Sequence, residues 1–282
     1  MSLSTALPAP GSRELVLRQF WAIVRFELRR HFLSRRFLLL YAAALLPVSL
    51  VLLFHIAPIR LEGLQRLAWL TQTFGITFQT FTLRMLIFFG TLWAFLNLFR
   101  GEVLDRSLHY YLLCPVRREL LTAAKYVAGV IGTFTIFGLS TLVSFVLLYL
   151  PFGVSRFQQQ LFDGPALGHL GAYLGITFLA CCGYGALALL LGLRFTNPVL
   201  PALILFGWES IEVFLPEVLK RISIIHYLKS LGPVQIPHGP FAVVGDPPAA
   251  WVSVLSVLVL SVTLVAATAW LSRRLEVRYG DD

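Results

Sequence analysis

The sequence predicts an all-α, polytopic membrane protein with six transmembrane helices, and three observations carry that expectation. Hydrophobic residues make up 57% of the 282 and charged residues only 13%, with a mean hydropathy of +0.79. That balance excludes an ordinary soluble domain. Six apolar runs can each supply most of the roughly 20 residues of helix needed to cross a hydrocarbon core about 30 Å thick. The basic residues, finally, gather on alternate connections. With both termini on the cytoplasmic side, sixteen of the 23 Lys and Arg flank that side and seven the other, as the positive-inside rule requires.

The net charge of +9 does not point to nucleic acid, because the basic residues border apolar runs instead of forming a soluble patch with interleaved aromatics. Anionic lipid headgroups are the expected partner. Cys114, Cys181 and Cys182 are the whole cysteine complement, and with two adjacent inside an apolar run they exclude a disulfide framework or a metal-binding CxxC.

Residues 1–12 are small, polar and proline-containing, and are expected to be a disordered tail. Residues 13–282 form a single transmembrane domain. Across 13–36, Leu17, Phe20, Trp21, Val24, Leu28 and Phe32 recur at helical spacing, with Arg18, Arg25, Arg29 and Arg36 on the opposite side. This pattern predicts a helix lying in the membrane interface. The first long apolar run begins near Phe37, too far from the start for a secretory signal, so it is read as a retained span.

The predicted spans are 37–57, 85–99, 126–150, 168–193, 198–215 and 250–271. Of the outer segments, 58–84 is rich in Thr and Phe and either extends the second span outward or lies along the interface. Residues 216–249, broken by prolines and mixed in polarity, predict short outer-side helices before the last span. Such helices can enter the membrane where protein covers their backbone.

Residues 100–125 read R-G-E-V-L-D-R-S-L-H-Y-Y-L-L-C-P-V-R-R-E-L-L-T-A-A-K. Glu102 and Asp105 are placed near the start of a short helix, where acids complement the helix dipole. Pro115 ends that helix, since it cannot continue the hydrogen-bond ladder, and Arg117, Arg118, Glu119 and Lys125 head the next span. An acidic-then-basic element of this kind suits docking to a soluble partner; a solvated loop obeying the charge rule has the same composition.

The segment resembles the cytoplasmic loop of type-2 exporter permeases of the ATP-binding-cassette (ABC) transporters, in which a short acidic helix precedes a P-V-x-R-x-E-like turn and a Lys entering the next span. Glu102, Asp105, Pro115, Val116, Arg118, Glu119 and Lys125 carry the match. Ala124 departs from it, standing where many relatives have Gly. The stretch W-A-I-V-R-F-E-L-R-R, Trp21 to Arg30, is similar to the family's N-terminal elbow, and the six-span plan with an elaborate last outer loop is similar too.

The resemblance implies a permease subunit, homodimeric or paired with a second permease, driven by separate ABC ATPase subunits in a bacterial inner membrane. Glu102, Asp105, Arg106, His109, Pro115, Arg117, Arg118, Glu119 and Lys125 would couple to the ATPase, and Trp21, Arg25, Glu27, Arg29 and Arg30 would belong to the elbow. ATP and Mg would be held by the partner ATPase and no cofactor by this chain. An accessory protein on the outer side would have the last outer loop to engage.

The chain carries no G-x-x-x-x-G-K-[ST] loop with which to cradle phosphates, and Leu228 precedes Lys229-Ser230. Its six histidines show no metal-ligand spacing, and no G-x-S-x-G elbow is present. Glu209 and Glu212 share a face of the predicted fifth span, where an ionised carboxylate costs about 2.5–3.5 kcal/mol on insertion scales. Two readings stand for this pair: a polar patch beside a translocation path, or two acids near the outer mouth, solvated or paired with a base such as Arg84 or Lys220. Gly168, Gly171 and Gly175 share a face and predict close helix packing. The alternative to a permease is a non-transporting membrane anchor or assembly subunit.

Overall fold

The structure, a computed structural model, describes residues 13–32, 34–56, 63–104, 117–149, 152, 164–195, 197–234 and 248–273. Among these residues every regular element is helical. Helix α1 (Arg13–Glu27) carries Glu14 in its first turn and Arg25 in its last, both favourable to its dipole. A π-turn, Leu28–Phe32, and a 3-10 turn, Arg35–Phe37, lead the chain into α2 (Leu38–Ile56). Tyr41 Oη donates to the Phe32 carbonyl at 2.6 Å and ties that turn to α2.

Helix α3 (Gly63–Thr77), a π-helical stretch (Phe78–Ile87) and α4 (Phe88–Leu104) follow one another without a break. The segment offers the helix no proline between Gly63 and Leu104. The second apolar helix therefore starts about six turns before residue 85, and 58–84 continues it as unbroken helix from Gly63 onward. Glu102 falls in the last turns of α4 and does not open a separate short helix as expected, because nothing in the sequence stops α4 before Leu104.

Helices α5 (Arg118–Tyr149) and α6 (Ala166–Arg194) are the longest single α-helices. They are followed by α7 (Val199–Ile211), a 3-10 turn (Glu212–Phe214), the one-turn α8 (Glu217–Lys220), α9 (Ile224–Ser230) and α10 (Ala250–Arg273). Among the described residues five helical segments are long and apolar enough to cross a membrane: α2, the Gln65–Leu98 part of the α3–α4 rod, α5, α6 and α10. Helix α7 has 13 residues, about 20 Å at 1.5 Å per residue, and Pro216 follows its terminal 3-10 turn.

Side-chain pairings fix how the helices run. Helix α2 is parallel to α5, since Ser140 Oγ donates to the Ala44 carbonyl while His55 contacts the Leu147 carbonyl at 3.0 Å. Helix α6 is antiparallel to α5: Tyr126 Oη donates to the Cys182 carbonyl at 3.0 Å, and the rings of Phe145 and Tyr173 meet near the other end, tilted, with centroids 6.2 Å apart. Helix α6 is the most buried of the five and α2 and α10 the most open. Leu38, Leu39, Leu45 and Leu53 of α2, with Val259 and Val262 of α10, leave apolar surface exposed on the scale of a lipid-facing wall. The chain is thus an all-helical protein built for an apolar solvent.

Glycine permits the closest approaches. A Cβ on Gly185 would stand 2.6 Å from the Phe95 ring, one on Gly129 2.5 Å from the same ring, and one on Gly132 2.1 Å from Phe32. The stripe Gly168, Gly171 and Gly175 behaves otherwise: a Cβ at each meets nothing within 4 Å. That expectation is corrected, because among the described residues no neighbour crosses this face. Gly183, whose sequence neighbourhood imitates a dinucleotide motif, lies against Ile224 and Val257 inside α6.

Candidate functional site

Four elements meet at one end of the bundle: α1, the end of α4, the start of α5 and the end of α10. Lys125 and Glu27, 98 residues apart in sequence, join there. Lys125 Nζ donates to Glu27 Oε1 at 2.7 Å and to the Leu98 carbonyl at 3.0 Å, and both side chains are fully buried. Glu27 faces inward because it lies one turn after Val24, also buried, on the face that α1 lays over Ala124 and Ala128. The small side chain at Ala124 permits that approach, as a Gly would. A buried pair of this kind is costly to break from one side, about 3–5 kcal/mol, and so fixes the angle at which α1 rests on the bundle.

A second tie closes the same face. Arg118 donates through Nη1 to the carbonyls of Ser272 at 3.4 Å and Arg273 at 3.3 Å, and Glu119 accepts from Arg273 Nε. The Glu119–Arg273 pair is exposed and contributes little alone. Together with the main-chain bonds it holds the last turn of α10 against the first of α5. The end of α4 and the start of α5 both stand at this face; Asp105, Arg106, His109 and Pro115 lie outside the described residues, as does the side chain of Glu102. Arg117 is described and exposed. Of the elbow residues, Trp21, Arg25 and Arg29 are exposed and Glu27 is buried; Arg30 stacks over Phe26 with its guanidinium 6.0 Å from the ring centre.

Glu209, near the end of α7, and Glu212, in the 3-10 turn after it, occupy a separate site. Glu209 is 5% exposed and receives three hydrogen bonds, from Ser223 Oγ at 2.8 Å, Ile224 N at 3.0 Å and Ile225 N at 2.8 Å. Its carboxylate thus satisfies the first N–H groups of α9, which have no partner within the helix. Glu212, also 5% exposed, takes Lys229 Nζ at 2.9 Å and meets His226 Nδ1 at 3.2 Å. Arg84, from the π-helical stretch, reaches the Glu209 carbonyl at 3.4 Å. Of the two bases at this site, Lys229 is on the Glu212 carboxylate and Arg84 on the Glu209 main-chain carbonyl. His226 and Lys229, three apart on α9, both meet Glu212, while Glu209 caps the start of that helix.

The paired reading of these acids expects a base such as Arg84 or Lys220. Arg84 is at the site but binds a carbonyl; Lys229 binds the carboxylate. Ser223, His226 and Lys229 are not among the expected site residues, because the meeting of α7 with α9 is a tertiary contact that no local pattern encodes. Ile224 packs against Gly183 and Val257, so α9 lies deep between α6 and α10, where an uncapped helix start would be costly. Among the described residues no three His, Cys, Asp or Glu are grouped to hold a metal ion.

No protein-family model matches the chain, and no curated protein or solved structure is similar to it.

Proposed function

We propose that the chain is the membrane-spanning permease subunit of an ABC transporter, an exporter driven by ATPase subunits on separate polypeptides. The observation that carries the reading is the tied face. The elbow-like helix, both ends of the 105–116 connection and the end of α10 are joined there by buried and main-chain bonds. A push on that connection is transmitted to α1, α4, α5 and α10 together, as a coupling surface requires. Binding of nucleotide to the partner drives transport only if it favours one arrangement of these helices over another.

The course of the chain supports a sixth crossing. Helix α6 ends at the level of the tied face, while α10 ends there and so begins toward the opposite side; residues 195–249 must pass between the two levels. Helix α7 covers about 20 Å of that distance and the capped α9 fills the space beside it. Six crossings place both termini on one side, the cytoplasmic side by the charge rule, with α1 in its interface. The Glu209–α9 cap and the Glu212–Lys229 pair then hold a re-entrant hairpin at the outer half of the permease, beside the cargo path. The apolar walls suit a lipid-like or amphipathic cargo. A dimer of permeases and an outer-side accessory protein complete the assembly.

The full engagement of both carboxylates by protein donors favours, as the second reading, a membrane anchor or assembly subunit that moves nothing. Purification of the tagged chain from its host membrane separates the two. Recovery of a cassette ATPase whose hydrolysis depends on this chain supports the permease; a stable assembly lacking any ATPase supports the anchor.

A further inference from the structure

A groove of about 550 Å³ opens on the outside of the bundle between the turn after α1, α2 and the middle of α5. It follows α5 from Ile131 to Val143, about 18 Å at 1.5 Å per residue. That length matches one leaflet, half of a hydrocarbon core about 30 Å thick. Its walls are aliphatic and open, with Leu45 and Leu139 more than half exposed.

The hydroxyl groups along it are already used. Tyr41 Oη donates to the Phe32 carbonyl, Thr135 Oγ1 to Ile131 and Ser140 Oγ to Ala44. No spare donor remains on those three groups for a polar occupant, so the groove favours an aliphatic one. Among the described residues its single charged lining residue is Arg29, at the end nearest the tied face. Arg25 and Arg35 are exposed on the adjoining turns. The acids nearby face elsewhere: Glu27 is turned inward onto Lys125, and Glu14 pairs with Arg18.

We propose that this groove holds one acyl chain of an anionic phospholipid from the surrounding leaflet, with the headgroup on Arg29. The lipid wedges the elbow-like helix against α2 and α5. The inference needs the chain to sit in a bilayer and is independent of any ATPase partner.

The test uses the full-length chain, purified in mild detergent and examined by native mass spectrometry after equilibration with phosphatidylglycerol or phosphatidylcholine of equal chain length. The wild type is expected to retain phosphatidylglycerol about fivefold better, the ratio that corresponds to ~1 kcal/mol for one basic residue at an anionic surface. Arg29→Gln abolishes that preference while still retaining lipid. Leu139→Trp, at an exposed position that leaves the core intact, fills the slot and lowers retention of both lipids. Equal retention of the two lipids by the wild type, or unchanged phosphatidylglycerol retention in both variants, overturns the proposal. So does oxidative cross-linking of two copies through Leu139→Cys in a Cys114→Ser background, which would show a second chain covering the groove.

Discussion

Removal of the Lys125 ammonium is the perturbation whose size follows most directly from the structure. Lys125→Met keeps the length and apolar stem of the side chain and takes away a donor 2.7 Å from Glu27 and 3.0 Å from the Leu98 carbonyl. The carboxylate stays buried under α1, so the loss should be near the range for breaking a buried pair from one side, about 3–5 kcal/mol. Glu27→Leu alone should fall in the same range. The double variant Glu27→Leu/Lys125→Met removes both charges and replaces them with apolar volume, which in other proteins is neutral or stabilising. It should recover at least 2 kcal/mol relative to the worse single variant, within the range seen for directly coupled sites. Reversible unfolding in mixed micelles, followed by tryptophan fluorescence, measures all four members of the cycle. A Lys125→Met cost under about 1 kcal/mol, or a double variant as damaged as the sum of the singles, would refute the claim that this pair fixes α1.

Three further outcomes follow from other contacts. Glu209→Ala removes the acceptor of three donors and should speed hydrogen exchange at the Ile224 and Ile225 amides by one to two orders of magnitude, consistent with about 1–3 kcal/mol of lost satisfaction; unchanged exchange would show that another group caps α9. Lys229→Met should destabilise the hairpin and Glu212→Gln in the same chain should restore much of the loss, because Glu212 then carries no charge to balance; thermal unfolding of the two variants compares them. Gly185→Ala sets a Cβ 2.6 Å from Phe95 and should cost about 1–3 kcal/mol through overpacking, whereas Gly171→Ala, with open space around it, should fall within about 0.5 kcal/mol of the wild type or rise slightly above it through helix propensity.

Hydropathy and helical spacing made the helical class and four of the five long apolar helices legible, because burial in lipid demands unbroken apolar runs. The second helix was underestimated at its start. Its Gly63–Thr77 part is rich in Gln, Thr and Arg66, which depress a hydropathy window while leaving helix formation intact. The fifth run was overestimated for the opposite reason, since an apolar composition says nothing of the 3-10 turn and the prolines that confine α7 to 13 residues. Glu27 and Lys125 were each singled out, but on different grounds, and their meeting depends on how α1 lies across α5. No local pattern encodes that crossing. Glycine spacing misled at Gly168, Gly171 and Gly175 because a small-residue face permits close approach without supplying the helix that makes it.

The measurement closest to the central claim is ATP hydrolysis by the complex purified from host membranes, compared between the wild-type chain and Glu102→Ala/Asp105→Ala. The permease account predicts a cassette ATPase co-purifying with the wild type, and its loss, or hydrolysis that no longer responds to the permease, in the variant. A complex with no ATPase, or one whose hydrolysis and composition are the same with both chains, would contradict it.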